Sequence, residues 1–147
     1  MAIMDAENQF SDNQAVTAAA ASENVIDLGI GRDIGVGDPD LYLVILVTET
    51  SDDAGDNSTL AVSLETDDNE AFASATKVAD LITLPANVAA GTQYVIPVPT
   101  ALLAAYERYI RLKYTPANGD LSAGKFSAFL TLDATQYTQY ASGTDIA

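Results

Sequence analysis

Apolar and polar residues alternate with a period of two over most of this chain, and side chains two apart share one face of a pleated strand. The pattern therefore predicts β-structure nearly throughout. In residues 106–114, Ile110, Leu112 and Tyr114 alternate with Tyr109, Arg111 and Lys113, which predicts a central strand with one face packed and the other presented. Residues 40–48 are the most apolar run, rich in Leu, Val and Ile, and suit a strand buried on both faces. In residues 59–65, Leu60, Val62 and Leu64 face inward, and the polar run from Thr66 to Glu70 turns the chain into a hairpin. Residues 124–133 place Phe126, Ala128, Leu130 and Leu132 opposite Lys125, Ser127, Phe129, Thr131 and Asp133.

Weaker signals fill the intervals. The alanine cluster in residues 14–21 has helical propensity, but the run is short and contains Val16 and Thr17, so strand is the better reading. Residues 24–29 and 92–99 read as strands, and residues 72–84 as one or two short strands. Pro97 lacks an N–H, which puts its strand at a sheet edge or ends pairing there. Residues 100–105 could form one helical turn. Glycines and Asp38-Pro39 mark turns in residues 29–39, and residues 115–120 carry another turn signal.

Some eight short strands with almost no helix predict an all-β sandwich of jelly-roll or Greek-key type. The organisation expected is an extended N-terminal arm at residues 1–13, a sandwich domain at 14–133 and a C-terminal tail at 134–147. The arm has no clear period, and Ile3, Met4 and Phe10 are the groups able to tie it down. The tail repeats Thr-Gln-Tyr at 135–137 and 138–140; it is either unordered or uses Tyr137 and Tyr140 as anchors on a partner.

Composition narrows the chemistry. A length of 147 residues suits one domain with a sizeable core. With no cysteine there is no disulfide or thiolate chemistry, and with no histidine there is no Ser-His-Asp arrangement, histidine base or imidazole metal site. Twenty-one acidic residues against six basic ones give a net charge of −15, which disfavours direct nucleic-acid contact and favours a basic partner surface. No apolar run reaches the roughly 20 residues that span a bilayer, and no signal-like segment opens the chain, so a soluble protein without a membrane partner is expected.

Three constellations could carry function. Three of the six basic residues, Arg108, Arg111 and Lys113, crowd into one strand. They either pair with carboxylates on neighbouring strands or dock on an acidic partner. The acid-rich runs at 49–56 and 65–70 raise calcium, yet they lack EF-hand spacing, and turns in which Asp and Asn bond their own backbone explain them better. Gly31 to Gly37 matches no phosphate-binding fingerprint. A glycosidase would need two suitably spaced acids, a condition that 21 acids meet by chance. No enzyme activity, cofactor or metal is therefore expected. A carbohydrate-binding module stacking sugars on Tyr94, Tyr106, Tyr109 and Tyr114 is the alternative to a structural protein.

The segments Phe10-Ser11-Asp12-Asn13-Gln14-Ala15-Val16-Thr17, Val25-Ile26-Asp27-Leu28-Gly29, Arg32-Asp33-Ile34-Gly35-Val36-Gly37, Leu64-Glu65-Thr66-Asp67-Asp68-Asn69 and Glu107-Arg108-Tyr109-Ile110-Arg111-Leu112-Lys113-Tyr114 occur in an order that resembles the capsid cement, or decoration, proteins of tailed bacteriophages. The resemblance spans residues 5–133. It implies a jelly roll, made in the host cytoplasm, on the outer surface of the virion, where it reinforces contacts between capsomers. The partners implied are a major capsid protein of HK97-type fold and other copies of the chain itself. Phe10, Arg32, Arg108, Arg111, Lys113, Tyr137 and Tyr140 are the candidate partner-interface residues.

Overall fold

A computed structural model describes residues 5–29, 41–53, 55, 57–98 and 106–132 of the chain. After a single 3-10 turn at Ala6–Asn8, these form nine strands: β1 (Gln9–Ala15), β2 (Ala20–Ala21), β3 (Ile26–Asp27), β4 (Tyr42–Asp52), β5 (Thr59–Asp67), β6 (Thr76–Leu84), β7 (Gln93–Pro97), β8 (Tyr109–Ala117) and β9 (Ala123–Thr131). All neighbours pair antiparallel, in two sheets ordered β1-β9-β4-β7 and β2-β8-β5-β6. β3 pairs with β8 beyond β2, so β2 and β3 act as one interrupted edge strand. Each sheet then contributes four strand positions, and the interleaved order is that of a jelly roll.

The alternation in the sequence becomes the two inner faces. β5 contributes Leu60, Val62 and Leu64, and β8 contributes Ile110, Leu112 and Tyr114, all at most 2% exposed. Phe10, Leu43, Ile45, Val47, Phe126 and Ala128 meet them from the other sheet. Tyr114 and Phe126 stack across the interface with ring centroids 6.3 Å apart. Burying each such side chain contributes roughly 1.5–3 kcal/mol before the entropy of ordering is counted. β4 lies between β9 and β7, and Val44, on the face away from the core cluster, is as buried as Leu43 and Ile45, as its apolar run predicts.

Several boundaries differ from the sequence pattern. Residues 9–13, expected in the arm, belong to β1 and pair with β9, because Phe10 and Ser11 are both needed inside. A register shift at this point brings those two successive side chains to the core, and a second shift surrounds Asn13, whose φ is 54°. β8 starts at Tyr109 and runs on through Pro116, which the turn signal had excluded. Leu112 bonds toward Ser22 of the edge strand, so even-numbered β8 residues point their backbone that way. β2 has ended by Pro116, whose missing N–H therefore costs no ladder bond. Pro97 ends β7, which among the described residues pairs only with β4 and lies at the sheet edge, as predicted. Residues 72–84, read as one or two short strands, form one. The possible helical turn at 100–105, the turns at 30–39 and the tail at 134–147 lie outside the described residues.

Candidate partner-binding surface

The basic cluster sits on the outer face of the second sheet, and local carboxylates meet most of its charge. Arg111 Nε and Nη2 each lie 2.8 Å from Glu65 Oε2, directly across the β5–β8 ladder. Its guanidinium also covers the Phe72 ring at 4.1 Å, a cation–π contact that holds the side chain flat on the sheet. Arg108 makes a two-pronged pair with Asp27 of β3, at 2.9 Å through both Nε and Nη2. This hydrogen-bonded carboxylate raises the Arg108 pKa above its ordinary value. Lys125 pairs with Glu49, and Lys77 with Asp80. Among the described residues Lys113 joins no ion pair. The cross-strand pairing is thus observed for Arg108 and Arg111.

Phe10, a candidate for partner contact, is 0% exposed and belongs to the core. Its neighbour Ser11 shows why this segment is fastened so firmly. Gln14 Nε2 donates to Ala21 O and its Oε1 accepts from Glu23 N, which fixes the amide orientation. Ser11 Oγ then donates to Gln14 Oε1 at 2.7 Å, leaving Tyr114 Oη as the donor in its 2.8 Å contact with Ser11. Burial pushes the Tyr114 hydroxyl up to about 12. Arg32, Tyr137 and Tyr140 lie outside the described residues.

The four tyrosines of the sugar-platform reading do not converge. Tyr114 is fully buried and Tyr106 is 7% exposed. Tyr94 and Tyr109 belong to different sheets. The acidic turns are largely self-satisfied, as the backbone-bonding reading predicts. Asp53 Oδ2 accepts from Asn57 N and Ser58 N, which lowers its pKa. Burial of Asp67 favours its neutral form, yet bonds from Asn69 N, Ser74 N and the Ser74 hydroxyl outweigh this and lower its pKa. Carboxylate oxygens of Asp67, Asp68 and Glu107 come within 4.8 Å of one another at the end of the second sheet.

A feature not foreseen from sequence occupies that same end. Ile26, Leu28 and Ile110 from one sheet face Leu41, Leu130 and Leu132 from the other across an apolar cavity of about 190 Å³, with Asn8 and Thr131 completing its wall. Leu132 is 59% exposed. The alternation had assigned Leu132 to the core face, and it does follow that face, but one residue past the end of β9. Leucines just beyond strand ends were the available signal.

The fold and this surface define an all-β jelly roll with an apolar cavity at one end and a mostly paired basic strip on one face. Residues 10–130 match the family Bbp16, a phage-related family name, and the chain belongs to that family. No curated protein matches the chain. Among the described residues no helix is long and apolar enough to cross a membrane.

Proposed function

We propose that this protein is a structural virion protein, without catalytic activity, that binds the outer surface of a tailed-phage head and strengthens contacts between capsomers of HK97-type fold. The observation carrying this reading is membership of a phage-related family over residues 10–130, within which the cement-protein-like segments at 10–17, 25–29, 32–37, 64–69 and 107–114 fall. The physical character of the molecule supports it. A two-sheet body with a continuous core is rigid, and a net charge of −15 keeps it soluble and self-repelling before assembly. Other copies of the chain are expected nearby on the head, where several weak contacts become strong by being linked.

Undecorated heads of the phage encoding this chain, mixed with purified protein, provide the test. Saturable co-sedimentation and a higher head-rupture temperature are expected. Absence of binding together with an unchanged rupture temperature would overturn the reading. Raised ionic strength should weaken binding, because exposed charge contacts are screened.

A further inference from the structure

We propose that the apolar cavity between Leu28 and Leu132 is the docking pocket for a single large aliphatic or aromatic side chain carried on a positively charged segment of the partner. This rests on the capsid-binding reading above and specifies which surface engages the head and what chemistry it selects.

Size argues for one side chain. A cavity of about 150 Å³ lined by Leu, Ile and Phe is enough to hold benzene, and this one is about 190 Å³. Ile26 and Ile110 lie on strands of one sheet and Leu130 and Thr131 on a strand of the other, so an inserted group would be gripped from both sheets, as at interface hot spots.

Charge argues for the partner's sign. Asn8 forms part of the wall, and its side-chain amide donates to Asp5 Oδ2 at 3.1 Å, which places a carboxylate beside the opening. Glu7 is exposed next to it. Ile110, another wall residue, pairs with Thr66, and close to that pair in the chain come the exposed carboxylates Asp68 and Glu107, while Asp67 beside them is buried and bonded within its own turn. The nearby cation Arg108 is already held by Asp27. A second copy of the chain would bring the same acids face to face, so self-association through this end is opposed by its own charge. A basic segment meets the opposite field.

The intact, uniformly ¹⁵N-labelled protein provides one arm of the test, titrated by NMR with three pentapeptides: Lys-Lys-Leu-Lys-Lys, Lys-Lys-Ala-Lys-Lys and Glu-Glu-Leu-Glu-Glu. Shifts at the amides of Leu28, Ile110 and Leu130 are expected with the first alone. The second arm compares head binding by wild type, Leu132→Asp and Glu7→Lys, both changes being at exposed positions that leave the core intact. At least tenfold weaker binding is expected for Leu132→Asp, and severalfold weaker binding with a shallower salt dependence for Glu7→Lys.

Wild-type binding to heads with Leu132→Asp equally tight would overturn the pocket while leaving the function standing. If wild type fails to bind heads, the function fails and the peptide arm decides the pocket: equal shifts from the leucine and alanine peptides, or none at those amides, would overturn it. Concentration-dependent self-association abolished by Leu132→Asp would reassign the cavity to a second copy. A change at the same amides on removing residues 133–147 would reassign it to the chain's own C-terminal residues.

Discussion

At the end of the sandwich where β4 passes into β5, the loops bond to one another across both sheets; at the end where β4 begins, the sheets part around an apolar hollow. The first end is knitted by Leu121 N to Thr17 O, Ser122 N to Asp52 O, Ser51 N to Val88 O and Val16 N to Gly124 O, at 2.8 to 3.1 Å. Ser58 Oγ reaches Gly119 O, and Ser51 Oγ accepts from Val88 N. Val16, Val88 and Leu121 plug the core beneath them, each at most 6% exposed. At the second end, Leu28 and Leu41 only pack against the core, and Leu132 stands largely in water. Among the described residues, then, the first end is closed by bonds between its loops, and the second presents Leu132 and the walls of the cavity. Stability should reside at the closed end and recognition at the open one.

The strongest way to break that contrast is Gly124→Ala. Gly124 has φ +144°, a conformation strained for any residue with a Cβ, and an added Cβ would meet Ser51 Cβ at 3.2 Å and Ser51 Cα at 3.3 Å, so β9 and β4 would have to give slightly as well. A loss of about 3 kcal/mol is expected from backbone strain and overpacking together. The midpoint of urea unfolding measures it, and an unchanged midpoint would show that the closed end is not the seat of stability.

Alkaline titration comes next. Burial raises both Tyr106 and Tyr114 from 10 to about 12, so the folded state favours the neutral phenol. This contribution is complete below pH 10 and is lost as pH climbs through 12. For Tyr114, which lies deep in the sandwich, the loss is roughly 2–3 kcal/mol at about 1.4 kcal/mol per unit. Tyr114→Phe should flatten this alkaline limb while costing about 1 kcal/mol at neutral pH for the lost hydroxyl bond. An identical limb in wild type and variant would assign the transition elsewhere.

A smaller effect distinguishes the two paired arginines near the open end. Arg111→Ala strands Glu65, whose side chain is 16% exposed, and removes the Phe72 contact; about 1–2 kcal/mol is expected. Arg108→Ala, at an exposed and solvent-screened pair, should cost clearly less. Equal losses in thermal unfolding would mean that burial of the pair does not matter. The smallest change is Leu132→Asp, expected within ~0.5 kcal/mol of wild type in the same measurement. A large loss there would make the open end structural.

Much of the architecture is legible in the residues. β4, β5, β8 and β9 each carry a long alternating or wholly apolar run, and each contributes the core positions that its pattern assigns. The edge elements are less visible. β2 and β3 are two residues each, too short for any period, and exist because β8 offers them a ladder. Phe10 illustrates a limit of another kind: a lone aromatic near a terminus has the same local sequence whether it grips a partner or its own core. Only the double register shift opposite Phe126–Phe129 shows which.

The candidate surface divides along the same line. Local charge pairing was foreseeable for Arg108 and Arg111, since cations among many acids on neighbouring strands commonly pair, although Lys113 of the same cluster joins no ion pair among the described residues. Which acids they meet depends on register, which brought Glu65 opposite Arg111. The cavity was not foreseeable, because its wall joins Ile26, Ile110 and Leu130 from distant parts of the chain.

By itself, then, the sequence determined a two-faced strand pattern, an acidic surface and the absence of thiol and imidazole chemistry, because side-chain parity and composition are local properties. Tertiary structure alone decided which strands became neighbours, which apolar residues were sealed and which were left facing water at the open end. Those outcomes depend on pairing and closure between segments far apart in the chain, and no local pattern encodes where two sheets will part.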